Sequence, residues 1–256
     1  MTVHPVAAGG FSAAAMTYAR IRPSYARPAI GAIKELVPRD GLVVALAAGT
    51  GILTGQLRRA GLGVRAVEPL EAMARQLRLG LPDVPLVLGV AEAIPIVSGV
   101  VDLLAVGQAF HWFDAAAALG EAARVLRADG VLALLFNARD ASVPWVDELT
   151  RLVEDRTGGR PYDDHRETPW AEVVAVDGRF GELLERRYPN PVPTTVDGVV
   201  DRLRSTSFVA ALEEQARESL LEEARDLLAT HPELTGTFEY PHETVLHTCR
   251  RLADPR

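Results

Sequence analysis

At 256 residues, with 48% hydrophobic and 24% charged side chains, the chain can bury one sizeable core and has an ordinary globular composition that argues against disorder. A net charge of -7 and a pI near 5.4 provide no basic field for a phosphate backbone, so no nucleic-acid partner is expected. The single cysteine, Cys249, excludes an internal disulfide framework and argues against a cysteine-based zinc site.

The start of the chain lacks a charged lead followed by an apolar stretch, and no run of 18 apolar residues occurs, so neither export nor membrane insertion is expected and a cytoplasmic protein is. The phrase Y-A-R-I-R-P-S-Y, with Tyr18, Arg20, Arg22, Pro23 and Tyr25, reads as an arm that packs onto the domain or as a solvated lead-in. Pro28 opens a helix with Ile30, Ile33 and Val37 on one face, and Pro38 and Gly41 end it. An unbroken apolar run at 42–48 then meets Gly49-Thr50-Gly51 and a helical pattern at 52–60, which reads as a buried parallel strand turning sharply into a helix. Strands follow at 64–67 (with Glu68 at its end), 85–90, 100–106 and 131–136, with helices at 70–79 and 114–126, the latter capped by Asp114. Five alternations of strand and helix imply a parallel sheet covered on both faces, with binding groups at the C-terminal ends of its strands.

Beyond Asn137 the rhythm changes. Residues 143–156 read as a helix, 158–170 as a loop, and 183–192 as a strand whose Pro189 and Pro191 suit an edge. Helices are expected at 196–203 and 208–228, the second carrying a stripe of Leu212, Ala216, Leu220, Ala224 and Leu227 and a Glu213–Arg217 pair. A strand at 238–249 closes the pattern, and no internal repeat is present.

The glycine turn is a nucleotide-binding device, because glycine permits close backbone approach and the first helical amides are free donors. It fits a dinucleotide fingerprint poorly, since Thr54 stands where a third glycine or alanine is needed and Gly55 comes one place late. Glu68, at the end of the next strand, places a carboxylate where two ribose hydroxyls can donate to it. The alternatives are a ligand-free structural turn and a solvated acid. Hydrolase and P-loop motifs are absent, and Lys34, the only lysine, lies on a surface helix unsuited to Schiff-base chemistry.

Five segments in order carry a family resemblance: V-V-A-L-A-A-G-T-G-I-L-T, A-V-E-P-L-E-A-M, G-V-A-E-A-I-P, V-V-D-L-L-A-V-G-Q-A-F-H-W-F-D and R-V-L-R-A-D-G-V-L-A-L-L-F-N. Together they resemble the class I S-adenosylmethionine-dependent methyltransferases, most closely the small-molecule group termed methyltransferase type 11, whose members include proteins resembling trans-aconitate methyltransferase. That resemblance implies a Rossmann-like α/β fold with a mostly parallel seven-stranded sheet, a C-terminal antiparallel pair and a helical cover. Residues 1–137 would form an N-terminal cap and cofactor-binding core, 138–182 a helix and cover segment, and 183–256 the last strands with an inserted helical lid, all in one structural domain.

The resemblance also implies roles. Gly49 and Gly51 would flank the methionine part of S-adenosylmethionine, with Ala47 and Thr50 also among the cofactor-binding residues; Glu68, with Pro69 beside it, would hold the ribose. Ala91 and Glu92 would border the adenine, Gln108 would lie beside the methionine moiety or the sulfonium, and Tyr18 and Arg22 would belong to a cap in which Arg22 could meet the cofactor carboxylate. Two positions depart from the family pattern, which has an acid at Ala45 and glycine at Ala47. A glycine-to-alanine change is harmless at negative φ and harmful at positive φ.

The expected activity is methyl transfer to a small-molecule acceptor lying between cofactor and cover. The alternatives are a non-catalytic or regulatory protein of the same fold, or other chemistry in the same cleft. His111 is the candidate general base, with packing against Trp112 as its structural alternative. No metal site is expected: His242 and His247 face opposite ways on one strand, and Asp163-Asp164-His165 reads as a solvated cluster. Trp145, Tyr162 and Trp170 line an acceptor pocket or pack in the core.

Overall fold

The computed structural model describes residues 23–159 and 169–253. Tyr18, Arg22, Tyr162 and the Asp163-Asp164-His165 cluster lie outside the described residues. The first half alternates as its pattern requires: α1 (Arg27–Glu35), β1 (Leu42–Leu46), α2 (Ile52–Arg59), β2 (Gly63–Glu68), α3 (Glu71–Gly80), β3 (Leu86–Leu88), β4 (Val101–Gly107), a 3-10 turn (Phe110–Trp112), α4 (Ala115–Val125) and β5 (Leu126–Arg139). Asp114 caps α4 by accepting from the Ala117 amide at 3.1 Å.

The second half contains α5 (Pro144–Thr157), α6 (Trp170–Asp177), β6 (Leu184–Pro189), β7 (Val192–Thr194), α7 (Val196–Arg204), α8 (Ser207–Ala210), α9 (Glu214–Ala229), β8 (Phe238–Tyr240) and β9 (His242–Arg250). The main sheet runs β3-β2-β1-β4-β5-β9-β6, parallel from β3 to β5, with β9 antiparallel to both β5 and β6. This is the seven-stranded, mostly parallel sheet with an antiparallel pair expected from the sequence.

Each sheet face buries its own cluster. Ile30 and Ile33 of α1 and Leu53 and Leu57 of α2 pack on Val43, Ala45, Leu103 and Leu135. On the other face, Leu119 and Ala122 of α4 and Trp170 and Val174 of α6 pack on Leu104, Leu132, Leu134 and Phe136. A third cluster lies within the cover, where Leu149, Val200, Leu221 and Leu228 join helices α5, α7 and α9 around Trp145 and Tyr240.

Prolines corrected the expected second half. The single strand at 183–192 is two strands, because β6 ends at Pro189 and Pro191 precedes β7. The strand at 238–249 is likewise interrupted at Pro241, so β8 leaves the main sheet and pairs with β7 in a separate ribbon. A proline has no N–H for a ladder, so each break falls where pairing cannot continue. β6 lies at the edge of the sheet, where its terminal proline is tolerated.

Residues 170–177 form a helix rather than a loop end. The helix expected at 208–228 is divided, and Arg217 faces Glu218 at 3.6 Å instead of Glu213. Trp145 and Trp170 are core residues, 3% and 5% exposed. Trp145 packs on Tyr240, with ring centres 4.9 Å apart, while Trp170 stacks parallel to Phe136 at 6.1 Å and edge-on to Phe110 at 5.2 Å. Cys249 is buried in the sheet, and burial pushes its thiol up to about 12, which keeps it protonated and inert.

The turn after β1 settles the question at Ala47. Its φ is +49°, so this alanine occupies the left-handed region that favours glycine. An L-residue there carries about 1–2 kcal/mol of strain, and glycine gives back part of that gain through about 0.4–1 kcal/mol of extra unfolded-state entropy. Ala47→Gly is therefore expected to leave stability unchanged or raise it by up to about 1 kcal/mol in urea unfolding; a clear loss contradicts the left-handed turn.

Candidate functional site

A cleft open to solvent lies across the C-terminal ends of β1, β2 and β4. The topology puts it there because the turns after three adjacent parallel strands all project from the same edge. Ala45, Ala47, Gly49 and Thr50 form its floor; Glu68 and Pro69 follow from β2; Ala91, Glu92 and Gln108 complete the set of expected residues that line it. Gly51 stands behind the wall as the N-terminal cap of α2, at φ +92°. A Cβ there would approach Leu77 of α3 to 3.0 Å, so glycine is needed for both backbone conformation and packing.

Glu68 is the organising group. It is 3% exposed, and its carboxylate spans two loops, one oxygen accepting from the Gly49 amide at 2.7 Å and the other from the Leu70 amide at 2.9 Å. A carboxylate offers about four lone-pair sites, so each oxygen keeps capacity for one further donor. Desolvation by burial raises its pKa above the ordinary 4.5, while the two amide bonds pull it back down.

On the opposite wall, Gln108 also has a positive φ, +54°. Its amide donates to Leu135 at 2.9 Å, and its side-chain Nε2 donates to the Asn137 carbonyl at 3.0 Å, which fixes the carboxamide against the end of β5. Glu92 accepts from the Asp114 amide at 3.1 Å and so links the cleft rim to the start of α4.

Several lining residues were not anticipated. Asn137 ends the cleft at β5 and donates to the Pro23 and Ser24 carbonyls, both at 3.2 Å, while its Oδ1 accepts from Thr244 at 2.6 Å and Asn190 at 3.2 Å. Thr244 in turn accepts from the Ala26 amide at 2.8 Å. Pro23 and Tyr25 are thereby held as a wall, and Tyr25 is further clamped to Gln56 through bonds of 2.9 and 2.7 Å. The Tyr25 hydroxyl occupies the space a Cβ would need at Gly107. The signal for Asn137 was its place at the end of a parallel strand. Leu70, Met73, Trp112 and Phe113 supply apolar surface to the same cleft.

His111 is not among the residues lining the cleft. Its ring stands 5.0 Å from that of Trp112 and 6.1 Å from that of Phe136. No group of three or more His, Cys, Asp or Glu side chains suited to a metal occurs among the described residues.

The raised pKa of Glu68 has a definite sign. Folding favours its protonated form, so its contribution to stability is fully present below 4.5 and is lost as pH rises through the higher folded value. Glu68→Gln removes that dependence. Urea unfolding of both proteins from pH 4 to 7 is expected to show the stability difference shifting in favour of glutamine as pH rises, and a shift the other way contradicts the burial of this charge.

Comparison with known proteins agrees with this architecture. Residues 44–134 match the family model described as a methyltransferase domain. The chain is 37% identical over 237 residues to an uncharacterized methyltransferase of Mycobacterium tuberculosis, covering 92% of this chain and 93% of the relative. It is 32% identical over 202 residues to an uncharacterized methyltransferase of Schizosaccharomyces pombe, covering 78% of this chain and 79% of that one. Among solved structures it is similar to a chain from Anaeromyxobacter dehalogenans assigned as a type II methyltransferase, with TM-score 0.63 and 26% identity over 90% of this chain and 97% of the other. In fold alone it matches phosphoethanolamine N-methyltransferase 2 of Haemonchus contortus, which was solved with phosphomonomethylethanolamine and S-adenosylhomocysteine; the TM-score is 0.61 at 12% identity, covering 99% of this chain and 61% of that one. The chain belongs to the class I methyltransferase family.

Proposed function

We propose that this protein transfers a methyl group from S-adenosylmethionine to a small-molecule acceptor. The observation that carries this reading is the Glu68 carboxylate, fixed by two amides at the cleft with one lone-pair site on each oxygen left over for a vicinal diol. A second fact fits the same group: among the described residues the buried Thr50 hydroxyl, on the cleft floor, has no hydrogen-bond partner. When bound, S-adenosylmethionine supplies an electrophilic methyl group on a positively charged sulfur.

The residues of the chain supply position and dryness. Glu68 holds the ribose side, Ala91 and Glu92 border the base, and Gln108, pinned by Asn137, presents its carboxamide beside the reacting centre. Pro23, Tyr25, Trp112 and Phe113 keep water from that centre, and orientation together with desolvation can supply most of the acceleration for a displacement of this kind. The cap residues Tyr18 and Arg22 would complete the site, Arg22 meeting the ligand carboxylate. The acceptor then lies between the cleft and the helical cover of α5, α7 and α9.

Calorimetry on cofactor-free protein tests the binding. S-adenosylmethionine and S-adenosylhomocysteine are expected to give saturable heat and to raise Tm, and Glu68→Ala, which removes both hydroxyl acceptors, is expected to weaken binding at least tenfold, about 1.4 kcal/mol. Absence of any heat at millimolar ligand overturns the proposal and favours a non-catalytic member of the family. His111 is proposed as general base for an acceptor that must lose a proton. His111→Gln should then lower turnover and change its dependence on pH; an unchanged profile assigns His111 to packing beside Trp112.

A further inference from the structure

The antiparallel pair β5 and β9 presents a row of facing residues on one side of the sheet. The row begins in the core with Leu135 opposite Leu246, continues with Asn137 opposite Thr244 at the cleft, and ends with Arg139 opposite His242 under the cover. The third step carries polar groups that neither the fold nor the cleft uses.

His242 and Tyr240 are 3% and 1% exposed, and their rings meet edge-on with centres 4.4 Å apart. The His242 Nδ1 lies 2.9 Å from the Tyr240 carbonyl, which can only accept, so Nδ1 carries the proton and Nε2 presents a lone pair. Among the described residues neither that Nε2 nor the Tyr240 hydroxyl has a hydrogen-bond partner. A buried donor and a buried acceptor left together without partners are costly, and such groups are ordinarily satisfied.

Two cations adjoin them. The Arg202 guanidinium on α7 lies 5.5 Å from the centre of the Tyr240 ring. Arg139 is half-buried and makes no ion pair or hydrogen bond among the described residues, and the neighbouring Asp140 is engaged with Ser142 through bonds of 3.0 and 2.6 Å. Burial, reinforced by the charges of Arg202 and Arg139, pushes His242 down to about 3, so the ring is neutral at neutral pH and adds no third positive charge.

We infer that Arg139, Arg202, Tyr240 and His242 form the acceptor subsite, and that it takes a small molecule bearing an oxyanion, carboxylate or phosphate, together with a hydroxyl or similar polar group. The guanidiniums match the oxyanion, for which arginine forks are suited. The tyrosine hydroxyl can donate to the second group and the Nε2 lone pair can accept from it, which satisfies both orphaned atoms at once. Two residues along the strand Asn137 lines the cleft, so an acceptor anchored at Arg139 reaches toward the proposed methyl donor. This assignment rests on the methyl-transfer reading for its name as an acceptor site, though the binding itself does not.

The test titrates the full chain by calorimetry, with and without saturating S-adenosylhomocysteine, using 3-hydroxybutyrate and glycerol 3-phosphate against their neutral counterparts butane-1,3-diol and glycerol. At least one oxyanion is expected to bind in the millimolar range or tighter and the neutral compounds not to bind; which of the two binds distinguishes carboxylate from phosphate. Arg139→Gln should weaken binding at least tenfold with Tm unchanged. Tyr240→Phe, which deletes only an unpartnered hydroxyl, should weaken it severalfold without lowering Tm. Failure of both oxyanions, equal binding of the neutral compounds, or wild-type affinity in Arg139→Gln overturns the assignment. Oxyanion binding that depends on Arg139 in a protein that ignores S-adenosylhomocysteine keeps the subsite and removes the methyl-transfer reading instead.

Discussion

The cleft depends on one buried carboxylate. Glu68 sits at the end of β2, yet one of its oxygens is bonded to the amide of Gly49, in the turn after β1, and the other to Leu70, at the start of α3. That bridge sets the separation of the two loops. It is not a contact retained for stability, since desolvation outweighs the two amide bonds and leaves the pKa raised. The same edge carries two non-glycine residues with left-handed backbone, Ala47 and Gln108, at the ends of the adjacent strands β1 and β4. Strained backbone and an undercompensated charge, gathered at the ends of three neighbouring strands, indicate a surface shaped for a ligand at the expense of stability.

A neutral network closes what Glu68 opens. Asn137 uses its carboxamide to join the lead-in at Pro23 and Ser24 to Thr244 of β9 and to Asn190 in the turn beyond β6. Asn190 repeats the connection by donating to the Ser24 carbonyl at 2.8 Å. Three segments distant in sequence therefore meet at one side chain, and the antiparallel end of the sheet becomes part of the site. Because Tyr25 is also fastened to Gln56 of α2, the lead-in is held from both sides of the cleft.

Much of this was legible in the sequence. The β1 turn, the placement of Glu68 and the alternation to β5 follow from local signals: an apolar run, glycines, a cap and a period. What was not legible depends on distant partners. Pro189 and Pro241 mark breaks, but only the pairing of Val192 with Tyr240 shows that the freed pieces form a ribbon of their own. The helix at Trp170–Asp177 was hidden because its valines are weak helix formers, and it is held by burial of Trp170 and Val174 on the sheet. Trp145 and Trp170 admitted two readings until their aromatic neighbours were known. Asn137 belongs to no motif, and only the convergence of its partners gives it weight.

The two alanines at which the sequence resemblance implies an acid and a glycine separate physically. Ala47 bears on shape, since its left-handed φ keeps the turn that glycine ordinarily supports, at the cost of backbone strain. Ala45 bears on charge. It is 1% exposed and packs with Leu53, Leu103 and Leu135, so one methyl group serves both the core and the cleft floor. An acid there would meet these apolar neighbours and add a second buried charge close to Glu68, whose own burial is already unfavourable. Its absence relieves the fold and, for the cationic ligand proposed above, removes one partner, a difference of about 1.5–3 kcal/mol for a bond to a charged group. Under the proposed function such a loss lowers affinity without altering the cleft, and it would leave recognition to the carboxylate at Glu68, the amides at the start of α2 and the carboxamide of Gln108.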